Sequence, residues 1–81
     1  MFTVYALHSP KFNKIYIGFT SDLEARFQSH NLLATKGWTV TFRPWTLLYR
    51  EEHSNKKDAI KREKELKSAR GREFIRNLIL K

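Results

Sequence analysis

The chain has 81 residues, and its 16 lysines and arginines outnumber its 8 aspartates and glutamates, which gives a formal net charge of +8 at pH 7. The absence of cysteine excludes disulfides and thiolate metal sites, and no apolar run approaches the roughly 18 residues of a membrane span. The charge favours a polyanionic partner such as DNA or RNA, with solubility or attachment to an anionic membrane as the alternatives.

The first half of the chain predicts a β-hairpin, a helix and a basic, aromatic connection. Residues 2–7 and 15–19 are rich in β-branched and aromatic residues, and turn-forming residues separate them. Ser21 or Asp22 can cap a helix that runs to about Leu33. Residues 34–44 then form the connection to a third strand.

The second half predicts one strand and two helices. Residues 45–51 read as a strand, in which successive side chains point to opposite faces, so we expect Leu47 and Tyr49 on the same side of the sheet. Ser54 or Asn55 caps a helix that runs to about Ser68 and that Gly71 breaks, and an apolar stripe over residues 74–79 predicts a last short helix. We therefore expect one α+β domain over residues 1–81, with a three-stranded, mainly antiparallel sheet flanked by helices in the order β-β-α-β-α-α.

Glu63 is the least expected residue of the longer helix. At 100° per residue, it lies on the inward face that Ala59 and Leu66 define. A carboxylate there is costly unless it is paired, hydrogen-bonded or bound to a cation. Glu63 therefore either belongs to a site or pairs with a neighbouring cation such as Lys67, one turn further on.

Two tyrosines and two basic residues are the other candidates for chemistry. A hairpin can bring Tyr5 and Tyr16 close together, and Gly18 lets something approach the backbone beside them. Arg26 and His30 are spaced i, i+4 on the flank of the first helix. Arginine suits a phosphate, and histidine can shuttle a proton near neutral pH, although ordinary packing or surface roles explain each residue taken singly.

Together these segments resemble the GIY-YIG nuclease superfamily. The second half of the name motif is present as Tyr16-Ile17-Gly18, and the first half is reduced to Thr3-Val4-Tyr5, which keeps its tyrosine. The resemblance covers essentially the whole chain and is strongest to short stand-alone bacterial proteins related to the N-terminal nuclease domain of the bacterial excinuclease. The other similar blocks are residues 18–31, 43–49, 59–67 and 71–74.

The resemblance implies a cytoplasmic endonuclease that hydrolyses DNA phosphodiester bonds with Mg²⁺ or Mn²⁺, in DNA repair or recombination. It implies that Glu63 holds the metal, that Tyr5 acts as general base or orients the attacking water, and that Arg26 stabilises charge on the phosphate. It also implies that Tyr16 hydrogen-bonds the water or phosphate and that His30 orients the tyrosine or the proton path.

The connection offers a second set of candidates, for binding nucleic acid. Lys36, Trp38 and Arg43, with Phe42, could hold a strand by charge and stacking, unless the loop folds back and buries its two aromatic residues. Two other functions stay open: a non-catalytic nucleic-acid-binding module that retains the fold, and a basic RNA-binding or ribosome-associated protein. Only the nuclease requires a divalent metal for cleavage, and the sequence leaves the oligomeric state open.

Overall fold

A computed structural model describes residues 1–33 and 37–79 of the chain. Its three strands and four α-helices confirm the predicted α+β fold. The elements in chain order are β1 (Phe2–Ser9), β2 (Lys14–Thr20), α1 (Leu23–Gln28), a π-helical segment (Ser29–Leu33), α2 (Trp38–Thr41), β3 (Thr46–His53), α3 (Lys56–Lys67) and α4 (Ala69–Ile79).

The sheet is antiparallel with the strand order β2-β1-β3, so β1 is central and β2 is an edge strand. β1 and β2 form the predicted hairpin. Its register places Tyr5 opposite Gly18 and Leu7 opposite Tyr16. Because directly opposite residues share a face, both phenols lie on the same side of the sheet.

The sheet separates two apolar clusters. On one face, Val4, Ala6 and Ile17 pack with residues of α3 and α4. On the other face, Tyr5 and Leu7 pack with Trp45 and with partly buried residues of α1 and the connection. The central strand is therefore buried on both sides, which accounts for the nearly continuous apolar run at the start of the chain.

The third strand departs from the predicted alternation. Ala6 pairs with Tyr49, but the next residue, Leu7, pairs with Leu47, so the register shifts at this point. Leu48 is the extra residue of this bulge, and it packs on the same cluster as Tyr49. The expectation that Leu47 and Tyr49 share a side was wrong, because a period of two does not hold across an inserted residue.

Both predicted helix caps are present. The Asp22 side chain accepts a hydrogen bond from the Ala25 amide at 3.1 Å, which fixes the start of α1. The Asn55 side chain accepts one from the Asp58 amide at 2.9 Å, which fixes the start of α3. Each cap satisfies an amide that would otherwise have no partner in the first helical turn.

Helix α3 ends at Ser68, as predicted, whereas Gly71, which was expected to break the helix, lies inside α4. A Cβ atom on Gly71 would lie 2.2 Å from the carbonyl oxygen of Glu65 and 2.4 Å from the Cα of Leu66. The glycine is therefore needed for the close approach of the two helices, and it does not end either one. No helix in the described part of the chain is long and apolar enough to cross a bilayer.

Candidate active site

A cavity of about 370 Å³ lies at the edge of the sheet formed by β2. Tyr16 and Phe19 both line it, although they point to opposite faces of that strand, so the cavity extends around the strand edge. Residues from both faces of the sheet can therefore meet there. Four of the five predicted catalytic residues line this cavity: Tyr5, Tyr16, Arg26 and Glu63.

Two larger cavities, of about 580 and 510 Å³, contain none of these predicted residues. One lies beside the N-terminal half of α1, and the other lies between α3 and α4. Size alone does not identify the candidate site, whereas the convergence of titratable groups does.

Gly18 determines how the two phenols are arranged. A Cβ atom at this position would lie 2.9 Å from the hydroxyl oxygen of Tyr5 and 3.1 Å from Cε2 of Tyr16. Tyr5 is only 1% exposed, and its ring centroid lies 6.1 Å from that of Tyr16. The space that the glycine leaves is thus filled by the tyrosine rings themselves.

His30 contacts Tyr5 from outside the cavity. Its Nε2 lies 3.0 Å from the Tyr5 hydroxyl, and its Nδ1 lies 3.0 Å from Oγ1 of Thr39. Burial, together with the charges of Arg26 and Arg43, lowers the pKa of His30 from its ordinary value. The imidazole is therefore uncharged at neutral pH, so one ring nitrogen donates and the other accepts, and the ring links Tyr5 to Thr39.

The Tyr5 phenol is also uncharged at neutral pH. Burial raises its pKa above the ordinary value, Tyr16 and Glu63 raise it further, and Arg26 opposes the shift. Tyr5 can therefore donate or accept a hydrogen bond. It can take a proton from water only if it passes its own proton on, or if a cation stabilises the phenolate.

Arg26 supplies an exposed positive charge at the cavity. It lies one turn after the Asp22 cap, and its backbone amide donates to the Asp22 carbonyl at 3.1 Å. Among residues 1–33 and 37–79, its guanidinium makes no hydrogen bond or ion pair. Its donors are thus available to a phosphate, whose oxygens match the planar guanidinium.

Glu63 both lines the candidate site and pairs with Lys67, the two alternatives that the sequence left open. Its side chain is 17% exposed and lines the cavity, and its Oε1 lies 3.6 Å from Nζ of Lys67. This ion pair is longer than a hydrogen bond, and the lysine is half exposed, so the carboxylate is only loosely held.

The donor set at the cavity fits a hydrated magnesium or manganese ion better than a fully protein-bound one. In the described part of the chain, no three histidine or carboxylate side chains cluster as metal ligands. One carboxylate, with water and phosphate oxygens as the other ligands, suits Mg²⁺ because this ion dehydrates reluctantly.

The predicted nucleic-acid-binding residues have different surroundings. Lys36 lies outside the described residues. Trp38 is 50% exposed and is not buried by the connection. The Arg43 side chain donates hydrogen bonds to the carbonyl oxygens of His30 at 2.6 Å and Ser29 at 3.1 Å, so it also anchors the π-helical segment. Its contact with nucleic acid stays a prediction.

Thr39 is a site residue that the sequence did not indicate. It lies in the short helix α2, inside the segment expected to be a connection. Besides its contact with His30, its carbonyl oxygen accepts a hydrogen bond from the indole of the buried Trp45 at 2.8 Å. No motif or periodicity in residues 34–44 marks it.

The three-stranded antiparallel sheet with its flanking helices forms a small α+β domain. A family model described as the GIY-YIG catalytic domain matches residues 1–77, and the chain belongs to the GIY-YIG family, which is a nuclease superfamily. Membership implies a nucleic-acid substrate.

Several relatives are small proteins called UPF0213. The chain is 41% identical over 58 residues to one from Staphylococcus haemolyticus, covering 72% of this chain and 71% of the relative. It is 37% identical over 54 residues to one from Staphylococcus aureus, covering 67% and 66%. The solution NMR structure of a UPF0213 protein from Bacillus halodurans has a TM-score of 0.56 and 27% identity, covering 96% of this chain and 85% of that one. The name UPF0213 states no activity, substrate or metal.

Proposed function

We propose that the protein is an endonuclease that hydrolyses DNA phosphodiester bonds with Mg²⁺ or Mn²⁺, in DNA repair or recombination. The observation that carries the proposal is the cavity in which a carboxylate and an exposed guanidinium face two phenols. A phosphodiesterase needs positive charge at the phosphate, a site for a cation and a path for the proton of the attacking water.

In this proposal Arg26 stabilises negative charge on the phosphate, and Glu63 provides the ligand for a cation. The Arg26 guanidinium binds the non-bridging oxygens of the scissile phosphate and stabilises the charge that develops there. The Glu63 carboxylate would hold the divalent cation. When bound, that cation would neutralise the leaving oxygen.

The attacking water is oriented and deprotonated by three residues: Tyr5, Tyr16 and His30. The Tyr5 hydroxyl takes a proton from water while it passes its own proton to Nε2 of His30, 3.0 Å away. This relay avoids a free phenolate, which burial of Tyr5 disfavours. The imidazole is competent to accept because it is uncharged at neutral pH. Tyr16, on the cavity wall, hydrogen-bonds the water or the phosphate.

The test is cleavage of plasmid, branched and single-stranded DNA in the presence of Mg²⁺, Mn²⁺ or EDTA. We expect Glu63→Gln and Arg26→Ala to lower the rate about a hundredfold or more, with circular dichroism showing that the fold is intact. Matched controls are Glu65→Gln, an exposed carboxylate on the same helix, and Arg76→Ala, an exposed arginine on α4. Both controls should cleave like the wild type.

Cleavage that persists in EDTA or in Glu63→Gln would contradict the assignment. DNA or RNA binding without any metal-dependent cleavage would indicate a non-catalytic binding module instead. In such a module Glu63 needs no metal ion, and its ion pair with Lys67 partly compensates the burial of the carboxylate.

A further inference from the structure

An aromatic surface begins at the cavity and extends to the turn of the hairpin. We call it the aromatic strip, and it consists of Tyr16, Trp38, Phe42 and Phe12. The ring centroids are 6.4 Å apart from Tyr16 to Trp38, 4.8 Å from Trp38 to Phe42 and 5.4 Å from Phe42 to Phe12. Tyr16 also lines the cavity, so the strip is continuous with the candidate active site.

The strip is more exposed than packing alone requires. Trp38 is 50% exposed and Phe12 is 40% exposed, whereas Trp45, which packs under Trp38 with ring centroids 5.7 Å apart, is 2% exposed. Tyr16 and Phe42 are half-buried against the apolar cluster that contains Trp45, whereas Trp38 and Phe12 present their rings to solvent. Adjacent exposed aromatic side chains mark an interaction surface more often than isolated ones do.

Two lysines give the strip its charge. The Lys11 ammonium lies 5.5 Å from the centroid of Phe12, and the Lys14 ammonium lies 5.5 Å from that of Phe42. Both cations are therefore held at the rings. Aromatic rings for bases, with lysines for the backbone phosphates, are the combination that binds single-stranded nucleic acid.

We propose that the aromatic strip stacks unpaired nucleotides beside the scissile phosphate, so that the substrate is DNA with a single-stranded segment at the cut site. The position of the cut rests on the proposed function of the cavity. Bases inside a duplex are stacked on each other, and their faces are not available to protein rings without unpairing. The strip therefore selects single strands, loops and junctions over continuous duplex.

The strip is also firmly placed relative to the proton path. The hydrogen bond from the Trp45 indole to the Thr39 carbonyl fixes α2, and Thr39 in turn contacts His30. Trp38 is part of the same short helix. A base stacked on Trp38 therefore lies at a fixed position relative to the His30–Tyr5 pair.

Binding is tested with fluorescently labelled oligonucleotides, in the Glu63→Gln background and in EDTA so that no cleavage interferes. We expect single-stranded DNA of about ten nucleotides to bind more tightly than duplex of the same length, and Phe12→Ala to weaken that binding about tenfold. The matched control is Phe74→Ala, because Phe74 is 43% exposed and lies on α4, where it packs on Tyr49. The control should bind like the parent.

Equal weakening by Phe12→Ala and Phe74→Ala would overturn the proposal, and so would tighter binding of duplex. Tighter binding of single-stranded RNA than of DNA would overturn the assignment of DNA. Lys14→Ala should also weaken binding, whereas Lys64→Ala on α3 should not.

Cleavage assays separate this proposal from that of the active site. If wild-type protein cuts DNA but Phe12→Ala cuts single-stranded and duplex substrates with unchanged preference, the strip has no role and the nuclease stands. If stacking-dependent binding is present but no substrate is cut with any metal, the strip stands as a binding surface and the nuclease proposal fails.

Discussion

At the scale of single residues, the glycine of the Tyr16-Ile17-Gly18 motif is explained by sterics. It faces Tyr5 across the hairpin, and a side chain there would meet both phenols of the cavity. The tyrosine of the first half of the motif and the glycine of the second half therefore form one cross-strand unit. The sequence indicated that a group approaches the backbone at Gly18, and the hairpin register identifies that group as Tyr5.

Gly18→Ala should impair cleavage more than folding. The added methyl group moves the Tyr5 hydroxyl, and displacing a catalytic group by about 1 Å costs about a hundredfold in rate. The stability loss should be about 1–3 kcal/mol, as for other overpacked sites. Rates and urea unfolding are measured together with Ile75→Val, a buried change on the opposite face that costs about 1 kcal/mol. Loss of rate in both variants to the same degree would contradict the steric explanation.

His30 should make the free energy of unfolding depend on pH. Its pKa is lowered in the folded protein by burial and by Arg26 and Arg43, whereas it is about 6.5 in the unfolded chain. The unfolded state then binds more protons, so stability is full above about pH 6.5 and falls as the pH drops through the lowered value. The pKa of Glu51 also lies below its ordinary value, since hydrogen bonds and Arg62 outweigh its burial, so the stability that Glu51 contributes is present at neutral pH and is lost only in the more acidic range where carboxyl groups titrate.

The measurement for His30 is urea unfolding at several pH values between about 5 and 8, a range in which histidine titrates. His30→Asn should be less stable than the wild type near neutral pH and should show a flatter dependence. If the free energy of unfolding of His30→Asn depended on pH as steeply as that of the wild type, another group would be responsible for the pH dependence.

At the scale of elements, the sequence predicts those whose pattern is local. The hairpin was predicted from its β-branched and aromatic runs, and each helix start was predicted to within two residues, at Ser21 or Asp22 and at Ser54 or Asn55. The bulge at Leu48 was not predicted, because the alternation of apolar and polar side chains cannot show an inserted residue. Helix α2 was not predicted either, because Thr39, Val40 and Thr41 have low helix propensity. Tertiary contacts stabilise it instead, such as the hydrogen bond from the Trp45 indole.

Gly71→Ala should destabilise the protein strongly, although alanine is the better helix former by about 1 kcal/mol. The new Cβ would overlap backbone atoms of Glu65 and Leu66, so relief requires α3 and α4 to separate. We expect a net loss of roughly 3 kcal/mol, from overpacking that exceeds the helix-propensity gain. Thermal unfolding should show a decrease in Tm of more than about 10 °C.

The control for this element is Glu73→Ala, an exposed position two residues further along α4. It should change stability by less than about 0.5 kcal/mol, as surface substitutions usually do. A Gly71→Ala protein as stable as the wild type would show that the helices can separate at little cost.

At the scale of the whole molecule, the candidate site is a product of topology. Glu63 is on a helix that covers one face of the sheet, and the phenols are on the other face, so only the open edge of β2 lets them meet. Helical spacing indicated that Glu63 faces inward, and the family resemblance grouped it with Tyr5 and Arg26. Phe12 was missed, because a turn residue carries no periodic signal and its contact with Phe42 is visible only in the folded chain.

The net charge of +8 makes nucleic-acid binding depend on salt, and substituting a lysine of the strip tests a different contribution from substituting one of its rings. For single-stranded DNA, each phosphate contact adds about 0.7 to the slope of log affinity against log salt. Lys14→Ala should reduce that slope by about 0.7, since it removes one cation at the strip. Phe12→Ala should lower the affinity by the same factor at every salt concentration, because stacking releases no counterions. Anisotropy titrations between about 50 and 200 mM salt measure both slopes. A changed slope in Phe12→Ala, or an unchanged one in Lys14→Ala, would contradict the assignment of a phosphate contact to Lys14 and of base stacking to Phe12.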